Sequence, residues 1–232
     1  MKKFLFSAIY LSICLICIGD PTKSMLGADW TEILSEDTVV PVEYLEGYGG
    51  AYIDTGLNSS IDKFRDFEIA FKISDFVDSM PIGYSYGATA RYGLWKGQTA
   101  SDSTLYYVGI NNTQKVSYPR DTEWHEVKVY NGSHIEIDGV STPIGSGSVR
   151  SNIGLFLFAT ITSSSGSSSY YTSHGRIYYA RIYDVNRVLL RDYMPVRVLI
   201  DDEWIGAMYD LVSGELFLNK GTGEFIIGPD KE

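Results

Sequence analysis

The sequence contains 232 residues, of which 44% are hydrophobic, 21% charged and 14% aromatic, with 2 cysteines and a formal net charge of −10. This length and apolar content predict one globular domain with its own hydrophobic core and exclude a disordered chain. The negative charge argues against nucleic acid as a partner, because phosphate binding relies on clustered lysine and arginine.

The N-terminus has the composition of a secretory signal peptide. Two lysines precede an apolar run over residues 4–18, and Gly19 precedes a polar turn. The run is shorter than the roughly 20 residues that a membrane-spanning helix needs. We therefore predict that residues 1–19 are a signal peptide, that the protein is secreted or lies at the cell surface, and that the mature chain has no membrane span.

Both cysteines, Cys14 and Cys17, lie inside this segment. Leu11 stands three residues before Cys14, as in bacterial lipoproteins. Bulky Ile13 and Ile16 directly precede the two thiols, where lipoprotein processing requires a small residue. Lipoprotein anchoring is therefore the lesser alternative to cleavage and release.

Three segments follow the predicted signal peptide. Residues 20–38 are predicted to be a tether with at most one short helix, since Asp29 and Glu32 have the spacing of a capping box. Residues 39–229 are predicted to form the folded domain, and residues 230–232 a short tail.

Period-two patterns predict strands through most of the domain. Residues 67–73 alternate apolar and polar side chains, and so do residues 125–137 on either side of an Asn131-Gly132 turn. The run 153–158 is apolar on both faces, as in a covered central strand. Further strands are predicted at 176–184 and 188–198, with Pro195 breaking the second or placing it at an edge.

The C-terminal region and one Ser-rich segment complete the pattern. Residues 203–228 predict three short strands separated by glycine turns, whereas residues 160–173 predict a mobile loop because serine and glycine bury little apolar area. The fold class predicted is all-β, a two-sheet antiparallel β-sandwich of the jelly-roll type.

Four motifs in order resemble one known superfamily. Trp124-His125-Glu126-Val127, followed by Asn131-Gly132 and Ile137-Asp138-Gly139, is similar to a hairpin of the laminin G-like, concanavalin A-like lectin superfamily. Residues 180–184 resemble a late strand of the same modules. Residues 44–56 and 208–225 resemble the opening and closing segments of a subgroup frequent in gut bacteria and their phages. The resemblance implies a jelly roll, whose members include sugar binders, adhesion modules and glucanases.

The glucanase branch can be tested on the residues themselves. Its members carry E-x-D-x-x-E, which supplies the two carboxyl groups of a retaining glycosidase. Here Glu136 and Asp138 match the first half, but Ser141 stands where the second glutamate is required. We therefore predict a protein that is not an enzyme, with a divergent glycoside hydrolase as the alternative.

The sequence shows no defined set of metal ligands. The three histidines are separated, and no cysteine follows the predicted signal peptide, which disfavours zinc. Calcium is left open because it takes carboxylate and carbonyl oxygens from loops without a fixed spacing. Asp54, Asp138 and Asp184 are the candidates.

Tyrosine is the main functional signal, with 18 residues against 10 phenylalanines. Tyrosine and tryptophan combine a flat apolar face with a polar group, which suits sugar rings and protein partners. We predict a binding module for a glycan or a cell-surface protein that uses aromatic residues in loops and at sheet edges. A structural component of a cell surface or a phage-like appendage is a further alternative. The candidate contacts are Tyr84, Tyr86, Trp95, Tyr170 and Tyr171.

Overall fold

The computed structural model describes residues 38–73, 81–86, 90–96, 104–109, 112–117, 123–145, 154–164, 167–172 and 174–231. The predicted signal peptide, Cys14, Cys17 and nearly all of the predicted tether lie outside these residues. In the described part of the chain, no helix is long and apolar enough to cross a membrane.

The described residues form 19 strands. In chain order they are β1 (Val39–Pro41), β2 (Leu45–Tyr48), β3 (Ile53–Asn58), β4 (Phe64–Ile73), β5 (Ile82–Tyr86), β6 (Ala90–Lys96), β7 (Thr104–Gly109), β8 (Asn112–Ser117), β9 (Trp124–Tyr130), β10 (His134–Ile137), β11 (Val140–Pro143), β12 (Gly154–Leu157), β13 (Ala159–Ser164), β14 (Ser167–Thr172), β15 (Gly175–Asp184), β16 (Leu189–Ile200), β17 (Glu203–Asp210), β18 (Glu215–Leu218) and β19 (Glu224–Ile227).

The strands form two sheets. The first has eleven strands in the order β11-β10-β9-β4-β15-β16-β17-β18, with β1 beside β16 and with β2 between β15 and β19. The second has eight strands in the order β14-β13-β5-β6-β7-β8, with β12 between β3 and β5. Pairing is antiparallel apart from one bridge between β13 and β5. The predicted all-β sandwich is confirmed.

The core lies between the inner faces of the two sheets. Phe67, Ile69 and Phe71 of β4 are at most 1% exposed, and they belong to one apolar cluster with Ile82 and Leu94 of the second sheet. Burial of this kind is the main favourable contribution to folding. The strand predicted at residues 67–73 is confirmed as part of β4, but Glu68 and Ala70 on its other face are buried as well.

Two buried tyrosines connect the sheets by hydrogen bonds. Tyr92 of β6 donates its hydroxyl proton to the carbonyl of Arg65 in β4. Tyr193 of β16 donates to the carbonyl of Thr55 in β3 at 3.2 Å. Burial and the nearby carboxylate of Asp210 raise the pKa of Tyr193, so its hydroxyl stays protonated as a donor.

The predicted hairpin at residues 125–137 is confirmed as β9 and β10. A second turn then connects β10 to β11. Asp138 and Gly139 at its centre have φ of 50° and 79°, as a type I′ turn requires at both positions.

Pro195 neither breaks β16 nor lies at an edge, so that prediction is wrong. The carbonyl of Pro195 accepts the N–H of Val42, and a strand residue directs its N–H and C=O to the same side. On that side the pairing of β16 with β15 ends at Tyr193, and its pairing with β1 begins at Val196. Pro195 therefore lies at the junction of two ladders, where no N–H donor is needed.

The loop predicted at residues 160–173 is also wrong. Its residues form β13 and β14, which pair from Ala159 opposite Thr172 to Ser164 opposite Ser167. Composition predicted little side-chain burial, but backbone hydrogen bonds can hold a hairpin at the edge of a larger sheet.

The chain end pairs with the beginning of the domain. Val42 forms a bridge with Asp230, and the N–H of Lys231 donates to the carbonyl of Pro41. Asp230 also binds the guanidinium of Arg197 at 2.8 Å. Asp230 and Lys231 are thus held against β1 and β16.

Gly93 tests the packing of the second sheet. It has φ of 132° and lies opposite Gly83, and an added Cβ would be 2.2 Å from the carbonyl oxygen of Ile82. We expect Gly93→Ala to lower the free energy of unfolding by about 3 kcal/mol or more, measured by urea denaturation. The control is Gly139→Ala, with φ of 79° and nothing within 4 Å of the added atom, for which about 1 kcal/mol is expected. Equal losses in the two variants would contradict this role for Gly93.

Candidate functional site

A β-bulge in β15 determines the outer face of the first sheet. Ile177 lies opposite Phe71 and Tyr179 lies opposite Ala70, so Tyr178 is the extra residue. Ile177 and Ala180 stay buried in the core, whereas Tyr178 and Tyr179 are both only partly buried. The bulge therefore directs two successive tyrosines to the outer face.

Tyr179 crosses its neighbouring strand. Ala70 of β4 lies between Tyr179 of β15 and Glu126 of β9, and its small side chain leaves room for the tyrosine ring. The Tyr179 hydroxyl donates a hydrogen bond to the Glu126 carboxylate, which also binds the Lys128 ammonium at 2.8 Å. Three strands of the sheet are thus linked on their outer face.

The pKa shifts follow from these contacts. Burial and the Glu126 carboxylate raise the pKa of Tyr179, so it remains a donor. Burial alone would raise the pKa of Glu126, but the hydrogen bonds from Lys128 and Tyr179 outweigh it, and the pKa is lowered. Glu126 is therefore held in its ionised form.

Tyr178, the other tyrosine of the bulge, lies between the exposed ring of Trp124 and the partly buried ring of Tyr44. Its centroid is 5.2 Å from that of Trp124 and 5.6 Å from that of Tyr44. Trp124, at the start of β9, is 53% exposed. We call Tyr44, Trp124 and Tyr178 the aromatic platform.

A row of polar side chains crosses the sheet beside this platform. Arg176 of β15 lies opposite Glu46 of β2 on one side and Lys72 of β4 on the other, and Lys72 lies opposite Trp124. Gly175 permits the close approach, since an added Cβ would be 2.6 Å from the carbonyl oxygen of Lys72.

Arg176 connects the polar row to the aromatic platform. Its Nε binds the Glu46 carboxylate at 2.9 Å, and its guanidinium carbon lies 4.3 Å from the Tyr44 ring centroid. Burial raises the pKa of Tyr178, and Arg176 offsets part of this rise. Side chains with donors, acceptors and flat apolar faces thus meet on one exposed surface.

The rest of the outer face is closed by paired charges. A row runs from Lys128 through Glu68 and Arg181 to Asp192 across four strands. Arg181 Nε binds Asp192 at 3.1 Å, while Arg187 binds Glu68 at 3.2 Å.

The Arg187 guanidinium carbon also lies within 4.5 Å of the ring centroids of two tyrosines, Tyr130 and Tyr183. Burial and the Glu68 carboxylate raise the pKa of Tyr183 to about 12.

The five contacts predicted from the sequence lie on the second sheet. Tyr84 and Tyr86 are in β5 and Trp95 is in β6, which are inner strands rather than loops or edges. Tyr170 and Tyr171 are in β14, an edge strand. The side chains of all five lie outside the described part of the structure, so their role as contacts stays a prediction.

The carboxylates weighed for catalysis are in the β9–β11 hairpins. Glu136 lies opposite Ser141, and its carboxylate is 3.1 Å from Nε2 of His134. Asp138 lies 2.6 Å from Nδ1 of buried His125 and accepts the N–H of Glu126. Asp138 therefore holds the turn between β10 and β11 against β9, whereas Glu136 pairs with a residue of its own strand.

The three aspartates weighed for calcium lie on separate elements. Asp54 accepts the N–H of Gly56, and Asp184 accepts the N–H groups of Asn186 and Val188. These backbone bonds, the one from Val188 foremost, lower the pKa of Asp184. Within the described ranges, no group of three or more His, Cys, Asp or Glu side chains could hold a metal ion.

Sequence patterns missed Tyr178, Arg176 and Lys72 as site residues. The apolar residues 177, 180 and 182 change phase after Ile177, which is the pattern that a bulge produces. Trp124 and Tyr44 belong to motifs that were used only to predict the fold.

Comparison with known proteins supports the fold class. No protein-family model matches the sequence, and no curated protein matches it. Among solved structures, the chain is similar to a proposed carbohydrate-binding protein from Bacteroides ovatus ATCC 8483, with a TM-score of 0.53 and 15% sequence identity. The match covers 83% of this chain and 61% of that one. The likeness is one of fold, and it agrees with the all-β sandwich described above.

The Glu126 contacts predict a pH-dependent contribution to stability. A lowered pKa in the folded state stabilises the fold above the ordinary pKa of 4.5, and this contribution is lost as the pH falls. We expect Glu126→Gln to lower the Tm at pH 7 and to differ less from the unsubstituted protein at pH 3, measured by circular dichroism. Tyr179→Phe, which removes one of the donors, should reproduce part of the loss at pH 7. A Tm difference that is the same at both pH values would contradict this interpretation.

Proposed function

We propose that this protein is an exported, non-catalytic binding module of the laminin G-like type, and that it binds carbohydrate on the aromatic platform. Three aromatic rings, of which Trp124 is exposed and Tyr44 and Tyr178 are partly buried, lie next to Arg176 and Glu46 on the outer face of the first sheet. This observation carries the proposal. The similar fold of a proposed carbohydrate-binding protein supports it.

The physical fit is that of a sugar ring. One face of a pyranose is lined by C–H groups, which pack on an exposed indole such as that of Trp124. Its hydroxyl groups both donate and accept hydrogen bonds, as the Arg176 guanidinium and the Glu46 carboxylate do. Because Arg176 is held by Glu46 and the Tyr44 ring, part of the entropy cost of ordering it is met before binding.

A cell-surface protein is the alternative partner, since exposed tryptophan, tyrosine and arginine are also the residues that anchor protein interfaces. A glycan array with and without calcium separates the two classes of ligand. Binding to glycans supports the proposal, whereas no glycan binding together with capture of one defined surface protein would replace it. Regular oligomers that bind neither would favour a structural component.

The enzyme alternative is a divergent glycoside hydrolase. Hydrolysis of a β-glucan by the purified protein, abolished in Glu136→Gln, would overturn the non-catalytic assignment. We expect no such hydrolysis, because Ser141, the residue opposite Glu136, cannot supply the second carboxyl group.

Trp124 provides the sharpest test of the proposed surface. We expect Trp124→Ala to weaken glycan affinity by at least about tenfold in isothermal titration calorimetry, because it removes the most exposed ring of the platform. The matched control is Trp204→Ala, since Trp204 is also exposed, at 39%, and also lies against an arginine, Arg197. Equal effects of the two substitutions would contradict a site at Trp124. Thermal unfolding of both variants verifies that they are folded.

A further inference from the structure

The two cations beside the aromatic platform, Arg176 and Lys72, differ in what they contact. The charge of Arg176 is neutralised by Glu46 at 2.9 Å. Lys72, the next residue along the same cross-strand row, makes no ion pair or hydrogen bond with any described residue. Its ammonium is therefore a positive charge on the exposed face for which the described part of the chain offers no counterion.

The carboxylates that share the outer face of β4 and β9 with Lys72 have partners. Glu126, on the strand that carries Trp124, binds Lys128 and Tyr179. Glu68, on the strand of Lys72, binds Arg187. An anion that approaches Trp124 from the side of β4 would therefore meet Lys72, which has no counterion among the described residues, beside two paired carboxylates. The charge of Glu43, which acts on Tyr178, opposes the anion from the segment of Tyr44.

Lys72 is also positioned to act together with the platform. Residues that lie directly opposite each other in an antiparallel pair have Cβ atoms about 5 Å apart. Lys72 is opposite Trp124 on one side and opposite Arg176 on the other. A sugar ring stacked on Trp124 would place its substituents within reach of the flexible lysine side chain.

Building on the proposed function, we propose that the platform selects a sugar that carries a negative charge, either a carboxylate or a sulfate ester, and that Lys72 binds this group. Trp124 and Tyr178 contact the sugar ring, and Arg176 and Glu46 bind its hydroxyl groups. The ligand is thus an acidic polysaccharide rather than a neutral one.

The net charge of −10 does not oppose this preference. At physiological ionic strength the Debye length is about 8 Å, so carboxylates elsewhere on the surface are screened from a ligand at Lys72. The charges in direct contact with the ligand then decide the sign of the interaction. Nucleic acid is a different case, because its binding requires many phosphate contacts along a basic surface.

The test compares polygalacturonate, its fully methyl-esterified form and a sulfated galactan, each measured by calorimetry with the full domain. We expect polygalacturonate or the sulfated galactan to bind about tenfold more tightly than the neutral ester. Lys72→Gln should remove this preference, and Lys72→Arg should restore it. The carboxylate and sulfate ligands show which anionic group is preferred.

Lys63→Gln is the matched control. Lys63 directly precedes β4, nine residues and roughly 30 Å from Lys72 along the strand, and it should leave the preference unchanged. Binding to neutral and acidic ligands with equal affinity would overturn the role of Lys72 and leave the proposed carbohydrate binding intact. If the protein binds none of these three ligands and no glycan on the array, both proposals are overturned.

Discussion

The bulge at Tyr178 is the constraint on which the first sheet depends. β15 pairs with β4 along nearly its whole length, and its other edge is divided between β16 and β2. Both halves must direct apolar residues into one core, yet two tyrosines separate Ile177 from Ala180. The extra residue corrects the phase, so that each half of β15 presents its apolar side chains to the second sheet.

Correction of the phase also divides the outer face into two surfaces with different properties. Near β16 the charges of Glu68, Arg181 and Asp192 neutralise one another across strands. On the side of β2 lies the aromatic platform, whose Trp124 ring is exposed. Tyr179 contributes to the first surface by binding Glu126, while Tyr178 contributes to the second. Paired charges on a half-buried face favour stability, whereas an exposed ring beside a cation with no counterion in the described ranges has no evident structural benefit.

Local patterns were enough to predict much of the fold. The alternation in β4 and the Asn131-Gly132 turn act within a few residues, so they are visible in the sequence. The predictions for Pro195 and for residues 160–173 are wrong because pairing between strands determines their environment. Pro195 lies where the pairing of β16 passes from β15 to β1, so its missing N–H donor costs no hydrogen bond. Residues 160–173 are held by the pairing of β13 with β14 at a sheet edge. Rules based on local composition omit both effects.

The aromatic platform shows why the site was harder to predict than the fold. Tyr44, Lys72, Trp124 and Tyr178 come from four segments of the chain, and only the pairing of β2, β4, β9 and β15 brings them together. The sequence favours tyrosines whose neighbours in the chain are small, and these stay predicted contacts. A binding surface on a sheet is instead assembled across strands, where residues directly opposite each other are neighbours. The cross-strand row Glu46, Arg176, Lys72 and Trp124 is the surface proposed here, and its members carry two positive charges and one negative charge although the whole chain is acidic.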